Sequence, residues 1–233
     1  MTHLAPLHYL SGAGQKAAPV VALTWGTLLI SIAVIVIIGL LLAGAIWRRP
    51  GAAWSKGARG LLLPHAGGLN WLWIGVGLST LALLFTIVWT VKVLADNSRP
   101  PQPPAVALQI TGRQWWWEVR YLAPDTDRQF TTANEIHIPV GQPVKLTLIG
   151  GDVIHSFWVP KLAGKMDASP GQRNETWIEA DSPGVFRGQC TEYCGLQHSH
   201  MSFLVIADSP AQFQQWWTHQ LADPPAPAGA AVA

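Results

Sequence analysis

The chain has two cysteines, and both stand in one short run that also carries an imidazole and a thioether: Cys190-Thr191-Glu192-Tyr193-Cys194-Gly195-Leu196-Gln197-His198-Ser199-His200-Met201. A second imidazole lies upstream, in Gly151-Asp152-Val153-Ile154-His155-Ser156. Soft sulfur ligands joined to imidazole select copper over hard cations such as magnesium or calcium. Thiolates, imidazoles and a weak thioether suit a metal site that keeps its shape as the metal changes charge, which permits fast one-electron transfer. Two alternatives compete. Paired cysteines in an oxidising compartment could form a structural disulfide. Zinc would accept two Cys and two His but would leave Met201 without a role.

Such ligands need a rigid frame, and residues 105–207 read as strands. Val106, Leu108 and Ile110 alternate with other residues, as do Ile136 and Ile138, and Val144, Leu146 and Leu148. Turn signals at Pro139-Val140-Gly141, Gly150-Gly151 and Ser182-Pro183-Gly184 break the runs, which predicts a β-sandwich or barrel. The ligand run precedes a strand-like segment, Ser202–Ile206, and His155 is expected on a neighbouring strand. Ser209-Pro210 opens a short helix to about Leu221, with Ser as N-cap and Pro at the first helical position. The Ala/Pro-rich residues 223–233 read as a disordered tail.

The other half is a different kind of polymer. Residues 1–95 hold six basic residues and no acidic one, so all 13 acidic residues fall after them, against nine basic ones. The first half is therefore near +6 and the second near −4. Two uncharged apolar stretches, about 20–47 and 69–91, match the ~20 residues a membrane-spanning helix requires. Soluble helices of that length would carry a polar face, and these carry none. The predicted layout is an outer tail (1–18), a transmembrane helical hairpin (19–95), a Pro-rich linker (96–104) and a β domain (105–222). Arg48, Arg49, Lys56 and Arg59 fall between the spans, so the positive-inside rule places that loop in the cytoplasm and both chain ends outside.

The pattern Cys190-x-Glu192-x-Cys194-Gly195-x-x-His198-x-x-Met201 closely resembles the dinuclear copper site, CuA, of subunit II of haem-copper cytochrome c oxidases. The hairpin, the Pro-rich connection, Gln114-Trp115-Trp116-Trp117, Asp152-Val153-x-His155-Ser156-Phe157 and Lys165-Met166-Asp167-Ala168-Ser169-Pro170-Gly171 resemble further landmarks of that family in the same order. The resemblance implies a membrane-anchored, all-β protein: a two-helix N-terminal hairpin followed by a cupredoxin-like Greek-key β-barrel. It implies that Cys190 and Cys194 bridge two coppers. His155 and Met201 would complete one; His198 and the backbone carbonyl of Glu192 would complete the other. The Glu192 side chain would reach a magnesium ion at the contact with subunit I, where a hard carboxylate ligand is suitable. Trp115 would be the point of electron entry from cytochrome c.

The implied activity is one-electron transfer from cytochrome c to haem in subunit I, where oxygen is reduced to water. The implied setting is a bacterial inner membrane with the β domain in the periplasm, beside subunit I and a subunit III. The negative charge of the exported half fits a basic redox partner whose encounter is salt-sensitive; nothing in the chain points to nucleic acid.

There are departures. No Cys-x-x-Cys-His occurs, so the haem donor must be a separate protein. Gly68 stands where the family usually carries a Glu associated with proton entry, and Trp116 where many members have Tyr. Nitrous oxide reductase shares the ligand motif but adds a propeller and lacks the hairpin, and quinol oxidase subunit II lacks the ligands. From another class, a membrane-anchored copper delivery or sensing protein would need exchangeable metal. Among other candidates, His200 is expected to point away from the metal and His137 to face solvent. Met166 ranks behind Met201 as a ligand, and His3, His8, His65 and His219 read as incidental.

Overall fold

A computed structural model describes residues 7–47, 68–125 and 128–222. Helix α1, Ala18–Trp47, has 30 residues, none of them buried. Helix α2, Gly68–Asn97, is also 30 residues long. At ~1.5 Å per residue each is about 45 Å, more than the ~30 Å hydrocarbon layer. Both are long and apolar enough to cross a membrane. A Cβ built on Gly26 would lie 2.4 Å from the Trp89 ring, so a missing side chain on α1 makes room for a large one on α2; small residues serve this purpose between apolar helices. The basic residues Arg48, Arg49, Lys56 and Arg59 and the tail from 223 onward lie outside the described residues.

Residues 22–95 form one compact unit, and the rest of the chain forms the other. The second unit is built on ten strands: β1 Val106–Arg113, β2 Trp116–Leu122, β3 Phe130–Ala133, β4 Glu135–Pro139, β5 Val144–Gly150, β6 His155–Trp158, β7 Met166–Ala168, β8 Asn174–Ile178, β9 Gly184–Cys190 and β10 Ser202–Asp208. They pair as two five-stranded sheets, β3-β2-β1-β5-β8 and β4-β10-β9-β6-β7. Most pairings are antiparallel, but β1 runs parallel to β5 and β10 parallel to β4. The alternation seen in the sequence is the inward face. Leu108, Ile110, Ile136, Ile138, Val144, Leu146 and Leu148 are all fully buried, with Trp117, Val119, Tyr121 and Val205 beside them. Each such aliphatic side chain contributes roughly 1.5–3 kcal/mol by leaving water. Two apolar N-terminal helices followed by a cupredoxin-like β domain is the expected architecture. A third helix, α3 (Pro210–Ala222), closes the domain and makes "all-β" an approximation.

Helix α3 begins as a capping box: Ser209 Oγ accepts from Gln212 N at 3.4 Å, and Gln212 Oε1 accepts from Ser209 N at 3.2 Å. Its Trp216 stacks on His137 at 4.2 Å, with the planes 14° apart. His137 does lie on the face away from Ile136 and Ile138, but it does not face solvent. Its Nδ1 is 2.6 Å from Asp208 and its Nε2 is 3.0 Å from Glu135, and only 11% of the side chain is exposed. A helix that sequence alternation cannot place covers it.

The segment before α1 is tied to the β domain. Ala13 N donates to the Lys161 carbonyl at 2.8 Å, and Asp181 N donates to the Ala13 carbonyl at 2.9 Å. Lys16 bonds the Thr176 hydroxyl and lies 5.2 Å above the Trp177 ring. Trp177 Nε1 donates to the Asn97 carbonyl, and Asn97 Nδ2 donates to the Lys16 carbonyl, both at 3.1 Å.

Candidate metal centre

Four pieces of chain meet at the site. Cys190 ends β9, and Cys190 N donates to the Met201 carbonyl just before β10, so these strands close the ligand loop at its base. Within the loop, His198–His200 forms a single 3-10 turn that lifts His198 back toward Cys194. His155 begins β6, which pairs with β9 through Phe157 and Cys190. The turn between β1 and β2 carries Gln114 and Trp115 over the loop.

The two thiols are free, and their sulfurs lie 3.8 Å apart, nearly twice the ~2.05 Å of a disulfide. His155 Nδ1 is 3.9 Å from Cys190 Sγ, and the Glu192 carbonyl oxygen is 3.3 Å from it. His198 Nδ1 is 3.5 Å from Cys194 Sγ, and Met201 Sδ is 3.7 Å from it. Cys190, Cys194, Met201 and His155 are buried. The His155, Cys190 and Cys194 ligand atoms lie within 4.8 Å of one another. The structure thus brings together the six donors singled out from sequence, while His200 is exposed and bonded to Ser199.

The electrostatics of this cluster favour a cation. Burial pushes the Cys190 thiol up, but hydrogen bonds with His155, the Ser156 and Glu192 backbone and Cys194 outweigh it and hold it near 7. Burial and the charge of Cys190 push the Cys194 thiol up to about 12. Ionising one sulfur opposes ionising the other, and a metal ion between them would relieve that repulsion. His155 resists burial by bonding Cys190 and Asp152, which raise its pKa. Its Nε2 lies 2.8 Å from Asp152 Oδ1, so Nδ1 is the nitrogen turned to the sulfurs. Asp152 loses some solvation, but bonds from His155, Gln114 N and Val153 N hold its carboxyl below the usual range.

Asp152, Gln114, Trp115 and Gly112 position the ligands in ways the sequence does not declare. Asp152, part of the Asp152-Val153-x-His155 landmark, is the carboxylate that orients His155. Gln114 Nε2 donates to the Cys194 carbonyl at 2.7 Å and Trp115 Nε1 to the same oxygen at 3.2 Å, so both hold the ligand loop. Gly112 gives His155 its space: a Cβ there would sit 2.7 Å from the ring. A glycine inside an alternating strand was the available signal. Gly195, with φ +115°, lies directly under Gln114 and Trp115, where a Cβ would be strained and crowded. Trp115 itself is half-buried in the β1–β2 turn rather than in a strand, so it shares no strand face with the fully buried Trp117.

Residues 120–208 match the family described as cytochrome c oxidase subunit II, periplasmic domain. Over those residues the chain is similar to subunit II of cytochrome c oxidases. A subunit 2 from Alkalihalophilus pseudofirmus is 39% identical over 150 residues, which cover 64% of this chain and 42% of that protein. A probable subunit 2 from Rickettsia felis is 32% identical over 165 residues, 58% of this chain and 52% of the relative. The chain therefore spans about half the length of the curated relatives it matches. The crystal structure of the periplasmic domain of subunit II of cytochrome oxidase from Bradyrhizobium japonicum aligns with a TM-score of 0.48 at 31% identity, over 51% of this chain and 95% of that one. The buried cluster of His155, Cys190 and Cys194 could hold a metal ion, and copper is compatible with those donors.

Proposed function

We propose that this protein is subunit II of a bacterial respiratory cytochrome c oxidase, anchored in the inner membrane by α1 and α2 with the β domain in the periplasm. One observation supports this most: two free thiols 3.8 Å apart, flanked by two imidazoles, a thioether and a carbonyl oxygen. Cys190 and Cys194 would hold two coppers together with the donors on either side of them. His155 and Met201 would complete one copper; His198 and the Glu192 carbonyl would complete the other. Bound copper supplies a one-electron store between cytochrome c and the haem of subunit I, where oxygen is reduced to water.

The chain's own residues supply rigidity. β9 and β10 fix Cys190 and Met201, Asp152 fixes the His155 ring, and Gln114 fixes the Cys194 carbonyl. Burial of the sulfurs keeps water from the ligands. Trp115, bonded to the Cys194 carbonyl and half-exposed, is the residue we assign to electron entry from cytochrome c. The Glu192 side chain is exposed while its carbonyl faces Cys190, an arrangement suited to a magnesium ion at the contact with subunit I. Subunit I is the required partner, and a subunit III accompanies it in the reading made from sequence.

The decisive measurement is copper per chain in the purified complex, with its electron paramagnetic resonance spectrum. The expected result is two coppers per chain and one unpaired electron spread over two nuclei. Loosely held, exchangeable copper, or sulfurs bonded to each other, would overturn the reading in favour of a delivery protein or a structural disulfide.

A further inference from the structure

A cavity outside the metal centre gathers nitrogen donors without an acid. His8, Lys161 and Arg187 line a small, partly open cavity, with Leu7, Pro160 and Phe186 among the apolar walls. The fold assembles these residues from distant places. Arg187 comes from β9, Lys161 follows β6, and His8 belongs to the segment that Ala13 ties to the Lys161 carbonyl. Arg187 Nε is buried and has no acceptor. Neither Arg187 nor Lys161 has an ion-pair partner among the described residues.

Acids outnumber bases after residue 95, yet none of them lines this cavity, whereas Arg113 pairs with Glu118 at 3.0 Å and Lys145 with Glu175 at 2.8 Å. A buried donor without an acceptor calls for a water or an ion. A guanidinium and an ammonium on one cavity match the oxygens of a phosphate group. The cavity is small, so it suits a single anionic group rather than a whole metabolite.

We propose that this pocket binds a phosphate group, supplied by inorganic phosphate or by the headgroup of an anionic phospholipid. The segment bearing His8 runs directly into α1, so both sources are chemically reasonable.

The test uses the full chain in its purified oxidase complex, with copper absorbance as the check on folding. In detergent, inorganic phosphate is titrated against chloride at constant ionic strength while thermal unfolding is followed. In parallel, nanodiscs of phosphatidylglycerol are compared with nanodiscs of phosphatidylcholine. We expect saturable stabilisation in at least one arm, weakened roughly tenfold by Arg187→Gln and by Lys161→Gln, and partly retained by Arg187→Lys. A response to inorganic phosphate assigns a soluble anion; a response confined to phosphatidylglycerol assigns the lipid. No saturable response in either arm, or one that the Gln variants leave unchanged, overturns the proposal and leaves a water as the partner of Arg187. Should Arg187→Gln fail to assemble, Lys161→Gln, which breaks no buried bond, carries the test alone.

Discussion

Two histidines in this domain are each held by an aspartate, and they end in opposite roles. His155 gives Nε2 to Asp152 at 2.8 Å and keeps Nδ1 for the sulfurs. His137 gives Nδ1 to Asp208 at 2.6 Å and Nε2 to Glu135 at 3.0 Å, and Trp216 covers its ring. One imidazole retains a free lone-pair direction inside a cluster of soft donors; the other has spent both nitrogens on carboxylates. A buried histidine is thus a ligand candidate by what its second nitrogen faces, not by its burial or by possession of an acidic partner.

The sharpest break of this comparison is to delete each ring in turn. His155→Gln should abolish the two-copper resonance signature, whereas His137→Gln should leave it intact. Equal loss in both would show that the two sites are not separable. Gly112→Ala acts on the same ring indirectly. Its Cβ would lie within 2.7–3.0 Å of three His155 atoms, so the imidazole must shift and the spectrum should change although every ligand remains. An unaltered spectrum would mean that the ring yields without cost. Asp152→Asn keeps the shape and removes the charge; loss of an outer partner of this kind lowers metal affinity roughly 10–100-fold. Competition with a copper chelator measures it, and unchanged retention would remove Asp152 from the positioning role.

This contrast also explains what the sequence could carry. The six donors were legible because soft ligands at short spacing have few other uses, and five of them sit in one run. The inward faces of β1, β4 and β5 were legible because alternation with period two states which side is apolar. His137 was misplaced because alternation gives a side of the strand, not what lies over that side; α3 arrives from more than seventy residues away. Asp152 was legible only as part of the landmark around His155, since a carboxylate three residues before a histidine declares neither a turn nor a bond. Gly112 and Gln114 act through contacts with β6 and the ligand loop that exist only after the two sheets close.

The same histidine pair sets the scale for stability. His137→Gln removes bonds to two carboxylates and a stacked ring, and leaving Asp208 underpartnered should cost about 1–3 kcal/mol. Denaturant unfolding of the variant reads this directly. An unchanged midpoint would reduce His137 to a passenger beneath α3.

Lys16 extends the comparison to a charge that has no carboxylate. Its partners are the neutral Thr176 hydroxyl and the face of the Trp177 ring. Burial is unopposed here and lowers its pKa from 10.5 to about 8. The sign follows from proton counting. Between pH 8 and 10.5 the unfolded chain keeps the proton that the folded chain has released, so raising pH across that window favours folding. Below pH 8 both states are protonated, and the folded state bears the full cost of the buried charge. Lys16→Met keeps the length and removes the ammonium, so the variant should lack the rise in stability that the parent shows across the window. The expected difference is the smallest of these effects, because Lys16 is only partly buried. Parallel slopes of unfolding temperature against pH for the two proteins would show that water reaches the ammonium and that the lysine is solvated rather than clamped between β8 and the segment leading into α1.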